Sequence, residues 1–191
     1  ADGTLANKFL ITSNGDPKFE ANIVDGNQRV VAARLYDAKF FYDEDLKRPL
    51  EDYVERLDTV VFQEKLGTTR AKTDRIVALA KAIAADAGVT GQEAADAERA
   101  AYLAKADLVT GAVVEFTSVQ GIMGSYYAKA AGETDAVVRA IADHYRPRFS
   151  GDDVPAERVG CIVAIADKLD TICGLFAIGQ GPTGSSDPFA L

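Results

Sequence analysis

The feature that most constrains this chain is a nearly continuous apolar run near its C-terminus, VGCIVAIADKLDTICGLFAIG, at residues 159–179. A helix that is apolar on every face needs neighbours on every side, so the run predicts a central helix, over about 156–178, inside a bundle of other helices. Asp167, Lys168 and Asp170 interrupt it, so it falls short of the ~18 apolar residues of a membrane span. Carboxylates in a buried helix are costly unless partners hold them. The run therefore indicates a metal or acid–base site, a remnant of such a site, or a helix with one edge in solvent.

Helical periodicity continues through almost all of the chain after Gly26. Asn27 is a plausible N-cap, and the apolar residues behind it recur at helical spacing, as Val31, Leu35, Ala38 and Tyr42. Before Gly26, residues 7–12 (NKFLIT) predict a short strand. Because one strand cannot stand alone, we expect its partners before residue 1 and the chain to be a piece of a longer polypeptide.

These patterns predict an all-α fold, a helical bundle with a short N-terminal β remnant. We expect residues 1–26 to be a β and loop remnant of a preceding domain and residues 27–179 to form the helical domain. Residues 180–191, rich in Gly, Pro and Ser, are predicted to be a loop that leads into a missing C-terminal part.

The composition limits the classes of function. Hydrophobic content of 48% and charged content of 26% are those of an ordinary globular protein. A net charge of −8 argues against an autonomous nucleic-acid-binding protein but leaves room for a local basic strip. Cys161 and Cys173 lie roughly 18 Å apart along one predicted helix, too far for a disulfide, which suits a reducing cytoplasm.

Candidate catalytic groups are few because the chain has a single histidine, His144. His144 stands near the end of a predicted helix, where we expect an exposed structural role, with a cationic ring favoured by the helix dipole. An all-carboxylate magnesium site of Asp107, Asp167 and Asp170 is possible in principle. The more frequent outcome for such aspartates is to cap helix ends or to pair with Lys105, Lys168 or an arginine.

Two small basic spots are candidates for contact with nucleic acid. Arg34 and Lys39 lie in a helix whose charges alternate with aromatics, and Arg146 and Arg148 lie in HYRPRF. Basic side chains at such positions reach phosphates, although a solvated, salt-bridged helix face more often shows the same pattern.

Five segments, in order along the chain, resemble the β subunit of bacterial glycyl-tRNA synthetase: ADGTLANKFLITSNG, DAKFFYDEDLK, VFQEKLGT, VQGIMGSYYA and GPTGSSDPFAL. The resemblance covers essentially the whole chain. It implies a cytoplasmic α2β2 ligase that attaches glycine to tRNA(Gly) with ATP, in which the α subunit uses ATP with magnesium at the aminoacylation site and the β subunit chiefly engages tRNA. For this chain it implies an α-subunit partner, a second β subunit and tRNA(Gly), no cofactor of its own and no membrane.

The same resemblance implies a degenerate HD-type domain, named after a His…His-Asp…Asp metal pattern. Asp107 and Asp167 match the two aspartates, whereas Ala106 replaces the histidine of the doublet and none stands near Lys72, where the first is expected. We therefore expect no catalytic residue and no metal here, with Asp107 and Asp167 as vestigial positions. We expect Asp167 to be held by a lysine such as Lys105, and Asp170 to mark where the helix meets solvent.

Three hypotheses about function follow. The first is a non-catalytic part of the synthetase β subunit, inactive alone, that contributes to tRNA binding through Arg34, Lys39, Arg146 and Arg148 and to α2β2 architecture. The second is a divergent HD-type metal-dependent phosphohydrolase that uses Asp107 and Asp167. The third is a helical scaffold that contacts only protein.

Overall fold

The structure, a computed structural model, describes residues 6–185 and 187 and divides into two compact units, residues 1–40 and 41–191. Helix α1, Glu20–Asp45, begins in the first unit and ends in the second. The domain boundaries predicted from the sequence remain predictions. Residues 188–191 of the predicted closing loop lie outside the described part of the chain.

The first unit contains an extended segment, a 3-10 turn at Pro17–Phe19 and most of α1. Residues 8–12 form no strand, so the strand predicted over 7–12 is wrong; a strand needs a paired neighbour, and no described residue of this unit provides one. The N-cap predicted at Asn27 is also wrong. The Asp16 side chain accepts a hydrogen bond from the Lys18 amide and Pro17 begins the turn, so the helical region starts there instead.

The second unit is a bundle of helices that follows a short hairpin. Strand β1, Val61–Gln63, pairs antiparallel with β2, Gly67–Thr68. The helices are α2 (Thr69–Asp86), α3 (Gly91–Leu103), α4 (Gly111–Glu115), α5 (Ile122–Ala130), α6 (Asp135–Asp143) and α7 (Arg158–Ala177). The predicted fold class, an all-α bundle with a small β element, is confirmed; the two strands lie at 61–68.

Helix α7 packs against several helices, as its apolar run predicts, but one of its sides is exposed, so the prediction of neighbours on every side is wrong. It packs against α2, α3 and α6, and its residues Ile162, Val163 and Ala166 are fully buried or nearly so. Helices α2 and α3 pack against each other as well, and each carries fully buried alanines, such as Ala80 and Ala97. Among the described residues, no helix combines the length and the apolar character that crossing a membrane requires.

Loops between these helices bring charged residues inward. Residues Leu50–Tyr53, Glu55–Thr59, Ala106–Val109 and Thr117–Val119 form 3-10 turns. The turn at Ala106–Val109 carries Asp107 into the interior, and the segment after α6 carries His144 there. These two segments and α7 position the charged groups of the interior.

Candidate functional site

The charged residues of α7 meet charged residues of α2 and polar residues of the segments that follow α3 and α6, inside the second unit. We call this set the buried charge network; its members are Lys72, Arg75, Lys105, Asp107, His144, Asp167 and Asp170. All of them except Arg75 are less than a tenth exposed. Charges so deep in a protein persist only when they are paired and hydrogen-bonded.

Asp167 lies between two ammonium groups. Its Oδ2 is 2.7 Å from Lys105 Nζ, and its Oδ1 is 2.9 Å from Lys72 Nζ. Burial alone would raise the pKa of Asp167, but the charges of Lys105 and Lys72 outweigh it and hold the pKa well below its usual value. The prediction that a lysine such as Lys105 holds Asp167 is confirmed, and Lys72 is a second such lysine.

Lys72 uses all three of its ammonium hydrogens. They go to the main-chain oxygen of Asp167 at 3.2 Å, to Asp170 Oδ2 at 3.0 Å and to Thr171 Oγ1 at 2.7 Å. For this reason Asp167 Oδ1 takes part in an ion pair yet receives no hydrogen bond. Through these three contacts Lys72 stabilises one full turn of α7, from Asp167 to Thr171.

Asp170 is buried, and the prediction that it marks a solvent-facing edge of α7 is wrong. Its carboxylate pairs with Lys72 and with Arg75, whose Nε lies 2.5 Å from Oδ1 and whose Nη2 lies 3.3 Å from Oδ2. Arg75 also donates to the main-chain oxygen of Leu66 at 3.1 Å. Two cations of α2 therefore stabilise the Asp170 carboxylate in its buried position.

His144 is fully buried, so the prediction of an exposed, cationic histidine is wrong. Its Nδ1 lies 2.7 Å from the Ile141 oxygen and its Nε2 lies 2.9 Å from Lys105 Nζ. Burial and the charge of Lys105 lower the pKa of His144 to about 3. The ring is therefore neutral, and these partners assign the proton to Nδ1 while Nε2 accepts from Lys105.

Asp107 acts on the main chain of α5. Its Oδ2 accepts from the Gly121 amide at 2.6 Å and from the Gly124 amide at 2.9 Å, whereas its Oδ1 is buried without a hydrogen-bond partner. Burial raises the pKa of Asp107 to about 6, and these two hydrogen bonds oppose the rise. A Cβ at Gly124 would lie 3.0 Å from Oδ2, so the glycine at this position leaves room for the carboxyl.

Lys105 connects Asp107 with the rest of the network. The charge of Lys105 lowers the pKa of the Asp107 carboxyl. Burial raises the pKa of Tyr145, and the charges of Asp107 and Asp167 raise it further.

Among the described residues, Lys168 does not make the carboxylate pair that the sequence suggested for it. Its Nζ donates to three main-chain oxygens after α6, at 3.4, 3.3 and 2.8 Å. Lys168 therefore closes the C-terminal end of α6.

Sequence reasoning missed Lys72, Arg75 and Asp45 as partners of buried groups. Lys72 stands four residues before the core residue Ile76, a spacing that could have revealed a lysine on the buried face. Asp45 accepts from the amides of Gly111 and Ala112 at 2.7 and 2.9 Å, so it caps α4. No local pattern indicates that contact, because 66 residues separate Asp45 from Gly111.

The predicted tRNA contacts lie on the surface. Arg34 and Lys39 are exposed on α1 in the first unit. In the second unit, Arg146 Nε lies 3.4 Å from Asp143, and Arg148 makes a two-point ion pair with Asp152, at 2.8 and 3.2 Å. These contacts do not test the prediction, because exposed ion pairs are weak and exchange readily for a phosphate.

The network presents cations where a metal site would need ligands. Within residues 6–185 and 187, no group of three or more His, Cys, Asp or Glu side chains has an arrangement that could hold a metal ion. Asp167 and Asp170, two members of the magnesium alternative, already face the ammonium and guanidinium groups of Lys72, Lys105 and Arg75. A divalent cation placed there would meet like charge. The arrangement is suited to holding helices together.

Comparison with known proteins extends the resemblance to the whole chain. The model of the family described as glycyl-tRNA synthetase beta subunit matches residues 1–191. The chain is 52% identical over 190 residues to a glycine–tRNA ligase beta subunit of Trichodesmium erythraeum (strain IMS101), and 54% identical over 189 residues to one of Janthinobacterium sp. (strain Marseille). These alignments cover 100% and 99% of this chain but only 26% and 27% of the two relatives. The chain thus spans about a quarter of their length.

Proposed function

Because the chain belongs to the glycyl-tRNA synthetase beta subunit family, we propose that it is a non-catalytic part of that subunit, which supports tRNA binding and the architecture of the enzyme. In this proposal the complete enzyme is a cytoplasmic α2β2 glycine–tRNA ligase, which joins glycine to tRNA(Gly). The α subunit uses ATP and magnesium for that reaction. This chain adds no cofactor and is inactive by itself.

The buried charge network is the observation that carries the non-catalytic role. A general acid or base must reach a substrate proton, and a metal ligand must offer an oxygen or nitrogen to the ion. Asp167 faces two ammonium groups, and both ring nitrogens of His144 have partners inside the bundle. Asp107 gives one oxygen to main-chain amides. Each group is committed to holding α2, α5, α6 and α7 in place.

The phosphohydrolase alternative has its own test, which uses the full-length subunit. Metal analysis of the purified subunit and an assay with phosphomonoesters and nucleotides are compared between the wild type and Asp167→Ala. We expect no stoichiometric metal and no turnover above that of buffer. Bound metal together with a turnover that Asp167→Ala removes would replace the proposed function by the phosphohydrolase.

The role in tRNA binding is supported by surface charge. Arg34, Lys39 and Arg148 are exposed, and Arg146 is partly exposed, so all four can approach a phosphate. The net charge of −8 makes broad attraction to RNA weak, so binding depends on such local contacts. The Arg148 side chain is 56% exposed, so its guanidinium is within reach of an approaching phosphate although it pairs with Asp152.

The test replaces Arg34, Lys39, Arg146 and Arg148 by Glu in the full-length β subunit, assembled with its α subunit. We expect tRNA(Gly) affinity to fall more than about 100-fold and the slope of log affinity against log salt to drop by roughly 3–4, one for each lost phosphate contact. The pairs Arg34/Lys39 and Arg146/Arg148 are also changed separately, so that each spot is tested by itself.

The matched control makes the same change of charge at four other exposed basic residues, Lys81, Lys129, Arg139 and Arg158. If the test variant binds tRNA(Gly) as tightly as this control, the four proposed residues are not the contact surface. An intact aminoacylation rate at saturating tRNA in both variants shows that folding and subunit assembly survive the substitutions.

A further inference from the structure

Helix α7 is apolar on its outward side as well as on its inward side. Its outward side carries four large apolar residues, which we call the outer stripe: Ile165, 46% exposed, Leu169, 40%, Ile172, 39%, and Phe176, 58%. Its charged residues Asp167 and Asp170 point into the bundle, and Lys168 reaches the end of α6. A surface helix normally shows the opposite arrangement.

The four residues form one continuous face. They follow one another at steps of four, three and four residues, which keeps them on one side of a helix over roughly 16 Å. Arg158, at the start of the helix, pairs with Glu93 of α3 and lies seven residues before Ile165. A helix face that presents large apolar groups to water is typical of a surface that another element covers.

We propose that the outer stripe is a docking surface for an apolar segment elsewhere in the same full-length β-subunit polypeptide. This inference rests on the proposed function, in which the chain is part of that subunit. The chain aligns with only 26–27% of the relatives' length, so each relative has about three times as much polypeptide outside the aligned region. That polypeptide is the source of the occupant.

The size of the stripe favours an occupant within the same chain. Four large side chains that are about half exposed present on the order of 200 Å², taking ~60–120 Å² of apolar surface for each whole side chain, the area to which its transfer free energy corresponds. Association between separate proteins usually buries about 800 Å² on each partner, because it must offset the loss of translational and rotational freedom. A tethered segment has an effective concentration in the millimolar range and needs far less area. The net charge of −8 also opposes self-association of this region.

Hydroxyl-radical footprinting of the full-length β subunit tests the proposal. The subunit is studied as a monomer, at a concentration verified by sedimentation and without the α subunit. Ile122 on α5, 50% exposed, is the matched control for Ile165 and Ile172, and Val114 on α4, 67% exposed, is a second. We expect Ile165 and Ile172 to be modified at least threefold more slowly than both controls, after correction for intrinsic reactivity. A smaller difference overturns the proposal.

Two further measurements identify the occupant. Protection that appears only after the α subunit is added, or only in a β-subunit dimer, overturns the proposal in favour of those partners. In the monomer, Leu169→Lys is expected to raise modification of Ile165 and Ile172 at least threefold, because it opens the covered face; Ile122→Lys leaves both unchanged. An unchanged footprint in Leu169→Lys also overturns the proposal.

These results separate the proposal from the function on which it rests. Footprinting needs no tRNA, so a charge-reversal variant that keeps its tRNA affinity removes the proposed binding surface and leaves the stripe unaffected. Conversely, an exposed stripe in the monomer refutes the docking surface while the tRNA measurements stand.

Discussion

Asp167→Asn removes a carboxylate that faces the buried ammonium groups of Lys105 and Lys72. The shape of the side chain is nearly unchanged, so the substitution changes charge and hydrogen bonding while it creates no cavity. Lys72 keeps Asp170 and Thr171 as partners. Lys105 keeps a neutral imidazole at 2.9 Å and the face of the Tyr145 ring, 3.9 Å away, and in place of the carboxylate it meets an uncharged amide. The variant therefore leaves the Lys105 charge without the anion that contacts it.

The expected cost is about 3–5 kcal/mol, the range for breaking one partner out of a buried pair. Because 1.36 kcal/mol corresponds to a factor of ten, hydrogen exchange of α7 amides that requires opening of the bundle accelerates by roughly 160- to 5,000-fold. The measurement is native-state hydrogen exchange by mass spectrometry on the full-length β subunit at pH 7. Because the folded-state pKa of Asp167 is depressed, the stability that its carboxylate contributes is fully present at pH values above the unfolded-state pKa. The loss of stability in Asp167→Asn therefore stays constant from pH 6 to 8.

The control is Glu98→Gln, which breaks the exposed pair with Lys81 and should cost no more than about 1 kcal/mol. A third variant, Lys105→Met, and the double variant Lys105→Met/Asp167→Asn complete a mutant cycle, in which we expect the double change to cost less than the sum of the single ones. Acceleration below about fivefold in Asp167→Asn would show that the buried pair is worth no more than a surface pair, and the buried charge network could then not be what holds the helices together.

Three other substitutions or titrations examine neighbouring parts of the site in the full-length subunit. Gly124→Ala places a Cβ 2.9 Å from Ile141 and should lower the free energy of unfolding by about 1–3 kcal/mol, measured by thermal denaturation. The control Gly26→Ala, in open space on α1, should be neutral or raise it by up to about 1 kcal/mol. Equal effects of the two substitutions would contradict the close packing at Gly124. Because the folded-state pKa of Asp107 is raised, its contribution to the free energy of unfolding is greatest below pH 4 and is lost as pH rises to about 6. Asp107→Asn should therefore remove this loss of stability from curves measured between pH 4 and 7. A loss that is unchanged in the variant would belong to another group. Nitrogen chemical shifts of His144 should stay those of the Nδ1-protonated neutral ring between pH 5 and 8, and a titration step in that range would refute its buried assignment.

The fold was predictable because its signals are local. The apolar run of α7, with a single short charged interruption, requires neighbouring helices, and the periodic segments before it supply them. The start of α1 and the position of the strands were not predicted correctly. The Asp16–Pro17 signal was overlooked in favour of Asn27, and the NKFLIT alternation depends on partners that its own unit does not provide among the described residues.

The candidate site was predictable only in part. The single histidine and the position of Asp167 in an apolar helix indicated a carboxylate held by lysine, and Lys105 is such a partner. Sequence reasoning missed that Asp170 and His144 are buried, because their partners lie far away in the chain. Asp170 pairs with Arg75 and Lys72, and His144 contacts Lys105.

By itself, then, the sequence determined the helical class of this protein, the packing of α7 against several other helices and the family to which the chain belongs, since these follow from periodicity, apolar content and motifs along one stretch of chain. Only the tertiary structure decided which charges meet. Lys72 and Asp170 are 98 residues apart in the chain, yet their charged atoms lie 3.0 Å apart in a shared interior. Pairing energy depends on that distance and on the exclusion of water, and neither is written in the order of the residues.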